Sequence, residues 1–104
     1  MVQEEDILRV AQRIGDAARA ERVILFGSHA RGEAAAHSDV DLMIVAESDA
    51  PRYKRSRELY KLFRPHPFSM DLIVYTPAEV EKGKRSACSF VSRVLRKGRT
   101  VYAR

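Results

Sequence analysis

The sequence has little of what would place it outside ordinary globular proteins. It contains no tryptophan and only one cysteine, Cys88. Because a single cysteine has no partner in the chain, an intramolecular disulfide and a cysteine-clustered zinc site are excluded. No run approaches the roughly 18 apolar residues that a membrane-spanning helix needs. Residues 1–6 are acidic, whereas a secretory signal begins with basic residues followed by an apolar stretch. We therefore expect a cytoplasmic protein with no membrane association.

Length and composition predict one folded domain. The chain has 104 residues, of which 45% are hydrophobic and 32% are charged, and this balance is typical of globular rather than disordered proteins. A chain of this size can bury roughly 65% of the surface that its unfolded form exposes, which is enough for one modest core. We therefore expect a single domain over residues 1–104.

The net charge of +5 is unevenly distributed. Residues 1–50 contain ten acidic and five basic side chains, whereas residues 51–104 contain four acidic and fourteen basic ones. Fourteen of the nineteen cations are arginines, which are suited to binding phosphate or carboxylate. This composition by itself suggests a nucleic-acid-binding module. One cluster fits a solvated face and an interface for an acidic partner or nucleic acid equally well. It consists of Arg52, Lys54, Arg55, Arg57, Lys61 and Arg64.

Hydrophobic periodicity predicts alternating helices and strands. The predicted helices cover residues 4–19, 30–36, 51–64, one or two turns from 77, and 86–97, and the strands cover 22–26, 40–46, 68–75 and, at one edge, 100–102. Ser28 is expected to cap the second helix, and Thr76 and Glu79 to form a capping box. The alternation is typical of an α/β fold, a sheet with helices packed on it. The connection between the first two strands, about thirteen residues, leaves parallel and antiparallel pairing open.

Three aspartates lie near the starts of two predicted strands. Because strand side chains alternate, Asp39 and Asp41 should point to the same face, roughly 6.5 Å apart along the chain. Asp71 joins them if consecutive strands are neighbours. Such carboxylates repel one another unless a cation lies between them, and all-oxygen ligands suit Mg²⁺ or Mn²⁺. The pattern therefore predicts a site for two such ions, which can hold the attacking and leaving oxygens of a phosphoryl displacement.

A short motif after the first strand supplies features that bind phosphate. Gly27 allows the backbone to approach a phosphate closely, and a helix that starts at Ser28 offers free N–H groups to an anion. Arg31, in the first turn of that helix, could reach a phosphate oxygen. A Gly-Ser pair alone is usually only a turn and a cap. Together with the three aspartates in a strand–helix–strand context, it indicates a nucleotide site.

These residues make the sequence similar to the minimal nucleotidyltransferases of the DNA polymerase beta-like superfamily. The resemblance covers roughly residues 20–76, and its motifs are GSHARG at 27–32, SDVDL at 38–42 and DLIV at 71–74. It implies a small mixed sheet with helices packed on it. It also implies transfer of a nucleoside monophosphate from a nucleoside triphosphate, with release of pyrophosphate. AMP from ATP is the transfer that we favour.

The resemblance also implies a role for each site residue. Gly27, Ser28 and Arg31 would hold the triphosphate. Asp39 and Asp41 would bind both metal ions, and Asp71 would complete the ligand set and help to deprotonate the acceptor hydroxyl.

A partner protein is a further implication of the resemblance. Larger members of the superfamily use another domain to hold the acceptor, and this chain has no room for one. Minimal members are often encoded beside a HEPN-domain toxin and resemble the antitoxin that AMPylates a tyrosine of that toxin. Two other functions stay open: a non-catalytic nucleotide-binding or scaffolding partner of a HEPN protein, and a basic nucleic-acid-binding module. The acceptor, the base of the nucleotide and homo-oligomerisation are also open.

The remaining histidines and the cysteine show no pattern of catalysis or metal binding. His29 stands where relatives often carry arginine or an aromatic residue, and either contact with a nucleotide or an exposed helix start fits it. His37 and His66 are predicted to be loop and turn residues, and Cys88 a small core residue rather than a nucleophile. Tyr53 and Tyr60 are predicted to be core residues of the helix over 51–64.

Overall fold

The computed structural model of the chain describes residues 2–35 and 37–104, and these residues form six helices and four strands. The helices are α1 (Glu4–Ala18), α2 (Ser28–Arg31), α3 (Arg52–Arg55), α4 (Arg57–Tyr60), α5 (Pro77–Gly83) and α6 (Phe90–Lys97). The strands are β1 (Arg22–Phe26), β2 (Val40–Val45), β3 (Met70–Tyr75) and β4 (Arg99–Ala103). Within the described ranges, no helix combines the length and apolarity needed to cross a membrane.

The four strands form one mixed sheet in the order β3-β2-β1-β4. β1 is antiparallel to both β2 and β4, whereas β2 and β3 are parallel. The pairing of the first two strands is therefore antiparallel, and the expected mixed sheet with helices packed on it is confirmed. β4 lies at one edge, as predicted for the last strand.

Helices cover both faces of the sheet, because strand side chains alternate between two apolar sets. One set packs with buried residues of α1 and α4; its strand members include Val23, Leu25, Leu42, Ile44 and Leu72. The other set packs with α5 and α6; it includes Ile24, Met43, Val45, Val80, Val91 and Val94. Asp41 and Asp71 alternate in step with Met43 and Ile73, so they belong to the α5/α6 face, beyond the end of its apolar cluster.

The predicted helix over 51–64 is wrong as a single element. It is two one-turn helices, α3 and α4, separated at Ser56. The physical reason is that the segment has no continuous buried stripe: Tyr53, predicted to be core, is 71% exposed, and a short helix is marginal without an apolar face to bury. Tyr60 does pack against the core, and its hydroxyl accepts a hydrogen bond of 2.8 Å from the Leu72 amide.

Several other boundaries also differ from the prediction. Ser28 is not the cap of α2 but its first residue, because Gly27 occupies the N-cap position with φ 76°. The helix ends at Arg31 rather than near 36, where Ala36 lies outside the described residues. The last helix begins at Phe90 rather than 86 because the Ser89 hydroxyl caps it by accepting from the Ser92 amide. β3 begins at Met70, two residues later than predicted.

A network at the end of β3 anchors α5 and α3 to the sheet. The predicted capping box is present: Thr76 Oγ1 accepts from the Glu79 amide at 3.2 Å, and Glu79 Oε1 accepts from the Thr76 amide at 2.9 Å. The Arg55 guanidinium donates to Glu79 Oε1 at 2.6 Å and to the carbonyls of Val74 and Ala50. The bond from Arg55, then that from Thr76, lowers the pKa of Glu79 to about 2.

Candidate active site

A row of residues across three strands forms the centre of the site. Asp41 is paired in register with Phe26 at the end of β1 and with Asp71 near the start of β3. Side chains that are in register on neighbouring strands project from the same face of the sheet. Two carboxylates therefore lie side by side, where parallel β2 and β3 begin and β1 ends.

Asp39 lies immediately before β2, next to this row. Its carboxylate Oδ1 accepts a hydrogen bond from the Ser69 hydroxyl at 2.5 Å. The two residues are neighbours because the register of Val40 with Met70 continues outward, and the Val40 amide donates to the Ser69 carbonyl at 2.9 Å. Asp39 thus lies one residue before β2 and beside the acidic row.

The electrostatics of Asp41 indicate that the three acids share one environment. Partial burial raises the pKa of Asp41 above its usual value, and repulsion from Asp71 and then from Asp39 raises that pKa further. His29 and Arg31 act in the opposite direction. A carboxylate held in this way is less stable as an anion than one in water, so the site favours a cation.

Gly27 shapes the turn that faces Asp41. Its φ of 76° lies in the left-handed region that favours glycine. A Cβ at this position would also collide with Asp41 Oδ2. The turn therefore packs directly against the carboxylate, which brings the predicted phosphate-binding motif and the acidic row into contact.

The α2 helix follows from this turn and presents its first residues beside the site. The Gly27 carbonyl accepts from the amides of Ala30 and Arg31. The amides of the first turn, which include those of Ser28 and His29, have no acceptor within the helix and can donate to an anion. Arg31 makes an exposed ion pair with Glu33 through Nε alone, at 3.1 Å, and an arginine has four further N–H donors.

Two residues that hold this arrangement were not predicted to do so. Ser69 contacts Asp39, and His29 Nε2 lies 3.1 Å from the Ser38 carbonyl in the loop that leads to Asp39. The sequence does carry a signal for Ser69, because it stands two residues before Asp71 as Asp39 stands two residues before Asp41. That signal becomes legible only once β2 and β3 are known to be parallel and in register.

The remaining histidines, the cysteine and the basic cluster lie mostly at the surface. Cys88 is exposed, so the expectation of a core position is wrong. His37 is exposed, and His66 packs against Tyr60 with ring centroids 5.9 Å apart. Several basic residues of the 52–64 cluster are occupied within the chain: Arg52 and Arg55 pair with Glu79, and Lys61 with Glu58.

The residues present suit a magnesium or manganese ion by their chemistry. All three carboxylates are oxygen ligands of the type that Mg²⁺ takes together with water and substrate phosphates, and their mutual repulsion is what a cation relieves. Among residues 2–35 and 37–104, however, no group of three or more histidine, cysteine or acidic side chains is arranged so that it could hold a metal ion. The donor set is therefore one that substrate oxygens and water would have to complete.

The small mixed sheet places an acidic row against a Gly-Ser turn, an arrangement whose chemistry suits phosphoryl transfer. The model of the family described as "Nucleotidyltransferase domain" matches residues 7–101. The chain belongs to this family.

One curated relative is similar to this chain over part of its length. This protein, "Putative protein adenylyltransferase MJ0141" of Methanocaldococcus jannaschii, is 35% identical over 54 residues. That alignment spans 52% of this chain and 54% of the relative, so the likeness covers about half of each protein.

Two solved structures share the fold. One is a provisionally assigned nucleotidyltransferase from Sulfolobus solfataricus, with a TM-score of 0.64 and 22% identity, which covers 96% of this chain and 83% of its own. The other is a toxin–antitoxin crystallised with AMP-PNP, with a TM-score of 0.60 and 16% identity, which covers 93% of this chain and 73% of its own. At these identities the comparisons establish the fold.

Proposed function

We propose that this protein transfers AMP from ATP to a hydroxyl group of a partner protein, with Mg²⁺ or Mn²⁺ as cofactor. The observation that carries the proposal is the contact between the Gly27 turn and Asp41, which stands in register with Asp71. The turn to which we assign phosphate binding therefore packs against a carboxylate pair. Membership of the nucleotidyltransferase family supports the reaction type, and the name of the Methanocaldococcus jannaschii relative supports a protein acceptor.

Each residue of the site has a role in this reaction. The Gly27 turn, Ser28 and Arg31 bind and orient the triphosphate, and Asp39, Asp41 and Asp71 would hold the metal ions. Bound there, the cations would supply positive charge to the carboxylates and to the phosphate oxygens. Ser69 and His29 are positioning residues, because they hold Asp39 and the loop before it.

The chemical step is a substitution at the α-phosphorus. The acceptor oxygen forms a bond to the α-phosphorus, the bond to the oxygen that bridges to the β-phosphorus breaks, and pyrophosphate leaves. The proton of the acceptor hydroxyl passes to a carboxylate, for which Asp71 is suited because it is exposed beside Asp41. The products are the AMP ester of the acceptor and pyrophosphate.

The partner that we propose is a HEPN-domain toxin, with one of its tyrosines as the acceptor and this chain as the antitoxin. Support comes from the motif resemblance and from the toxin–antitoxin whose structure shares this fold. A partner would also provide the acceptor group that a site open on the sheet surface must receive from outside.

The experiment combines purified protein, its co-purifying partner, Mg²⁺ and ATP labelled at the α-phosphate. Label should appear on the partner, whereas ATP labelled at the γ-phosphate should give none. Asp41→Asn should lower the transfer rate at least ~10³-fold, as expected when a charge that stabilises the transition state is removed. Asp49→Asn, which removes an exposed carboxylate outside the site, is the matched control and should transfer at the wild-type rate.

The same reactions separate the alternatives. Undiminished transfer by Asp41→Asn would refute the proposed site. Neutralisation of the partner by Asp41→Asn without ATP would indicate a scaffolding function instead of catalysis.

A further inference from the structure

Beside the acidic row lies a cleft whose α6 residues have no role in the reaction as described so far. It has a volume of about 260 Å³ and lies between the Gly27 turn and α6. Its apolar wall contains Phe26 and Phe90, whose rings meet edge to face with centroids 5.5 Å apart. Three cations line it as well: Arg31 from α2, and Arg93 and Lys97 from α6.

The α6 helix aims two of these cations at the cleft by its periodicity. Arg93 and Lys97 are four residues apart and so share one helix face, and both are exposed. Val91 and Val94 fix the rotation of the helix because they are buried against the sheet. The position of the two cations is therefore set by core packing rather than by a flexible loop.

The cleft has an excess of positive charge. Of the residues that the structure describes, no acidic one lines it. Within the described ranges, neither Arg93 nor Lys97 forms an ion pair, and Arg31 offers only Nε to Glu33. Three cations around one small cleft repel one another, and an anion with several oxygens relieves this repulsion.

The cleft is continuous with the acidic row through Gly27. This residue lines the cleft on one side and packs against the Asp41 carboxylate on the other. The site therefore has a negative end that suits cations and a positive end that suits anions, with the turn between them. A nucleoside triphosphate with bound metal has the complementary order of charges along its phosphate chain.

We propose that Arg93 and Lys97 bind the β- and γ-phosphates of the nucleotide, from the side of the cleft opposite the Gly27–Arg31 turn. This inference rests on the proposed function and deepens it. It assigns to α6 the recognition of a triphosphate tail, so that the protein distinguishes ATP from AMP. It also gives the departing pyrophosphate two cations to offset the charge that develops on it.

The test measures binding, not transfer. Isothermal titration in Mg²⁺ buffer at fixed ionic strength compares ATP, AMP and inorganic tripolyphosphate. For the double variant Arg93→Gln/Lys97→Gln the Kd for ATP should rise ~10- to 100-fold, since each charge-assisted hydrogen bond contributes appreciably. The Kd for AMP should stay within about twofold, because AMP lacks the groups in question, and tripolyphosphate binding should be lost.

A matched control removes the same charge elsewhere. Lys84→Gln/Arg85→Gln loses two exposed cations that do not line the cleft and should bind ATP and tripolyphosphate like the wild type. Circular dichroism checks that both double variants are folded, which is expected because all four side chains are exposed.

Several results would overturn the subsite. They are unchanged ATP affinity in Arg93→Gln/Lys97→Gln, an equal loss for ATP and AMP, an absence of tripolyphosphate binding by the wild type, and stronger competition by a single-stranded oligonucleotide than by tripolyphosphate. Failure of the proposed function gives a different result. Tripolyphosphate binding that persists in Asp41→Asn and disappears in Arg93→Gln/Lys97→Gln supports the subsite even where no label reaches a partner.

Discussion

Asp41 and Glu79 are two partly buried carboxylates at ends of the same sheet, and their surroundings shift their pKa values in opposite directions. Glu79 receives hydrogen bonds from Arg55 and the Thr76 amide, and its pKa is lowered to about 2. Asp41 is partly desolvated and faces Asp71 and Asp39, and its pKa is raised. The negative charge of Glu79 is balanced by donors within the chain. The charge of Asp41 is not, so a cation from outside the chain would stabilise it, which is a reason to locate the chemistry at Asp41.

Among the variants that test this contrast between the two carboxylates, the largest effect is expected at the turn that faces Asp41. Gly27→Ala must place a Cβ where the Asp41 carboxylate lies, in a backbone conformation that alanine rarely adopts. We expect nucleotidyl transfer to fall ~10²-fold, because the carboxylate is displaced from its row. We also expect the free energy of unfolding to fall by ~1–3 kcal/mol. Rates of transfer and urea denaturation provide the two measurements.

Gly32 offers a control for this prediction. It has a similar φ of 71°, but a Cβ there would meet nothing within 4 Å. Gly32→Ala should therefore show the conformational cost in urea without a comparable loss of transfer. Equal loss of transfer in the two variants would show that backbone strain, and not the contact with Asp41, is responsible.

Substitutions in the network around Glu79 should change the stability of the protein and not its transfer activity. Arg55→Met removes the cation that contacts Glu79 and the carbonyls of Ala50 and Val74, and the side chain of Arg55 is only 10% exposed. We expect the free energy of unfolding to fall by ~2–3 kcal/mol, since a partly buried anion and two acceptors lose their donor. Urea denaturation measures it. Arg57→Met, at an exposed position of α4, is the control, and equal destabilisation by both variants would contradict the assignment.

Glu79 itself should make stability depend on pH in the acidic range. Its folded pKa is depressed, so its contribution is present above the unfolded value of 4.5 and is lost as pH falls towards 2. Glu79→Gln should lower the free energy of unfolding by ~1–2 kcal/mol at pH 7, after allowance for solvent screening. The difference from wild type should vanish near pH 2. Denaturation at several pH values measures this.

A control on the same helix sharpens this prediction. Among the described residues, Glu81 forms an ion pair with Lys84 alone, and both side chains are exposed. Solvent therefore screens this pair, although the bond from Lys84 lowers the pKa of Glu81 as well. Glu81→Gln should therefore leave the pH dependence of stability close to that of the wild type. A pH-independent difference between Glu79→Gln and wild type would mean that the carboxyl contributes through packing rather than charge.

The sequence predicts the two carboxylate environments unequally well. The capping box could be predicted because it depends on residues three apart in the sequence. The acidic cluster could be predicted because Asp39, Asp41 and Asp71 lie near the starts of strands. By contrast, the pairing of Asp39 with Ser69 depends on the parallel register of β2 and β3, which local spacing does not encode. The bond between Arg55 and Glu79 also joins elements that are distant in sequence. The hydrophobic spacing of residues 51–64, which predicted one helix, gave no indication of this bond.

The smallest expected effect is a change in the free energy of unfolding that has opposite signs when Asp41 and Glu79 are neutralised. Asp41→Asn replaces a carboxylate whose ionised form is disfavoured by burial and by Asp71 with a neutral group of the same shape. In EDTA at pH 7 the free energy of unfolding should therefore rise by ~0.5–1 kcal/mol, as is common when a functional site is neutralised. Urea denaturation measures the change, and Asp49→Asn controls for the loss of one charge. A decrease in stability would show that the acidic row is held together by contacts within the chain, and the contrast with Glu79 would then not hold.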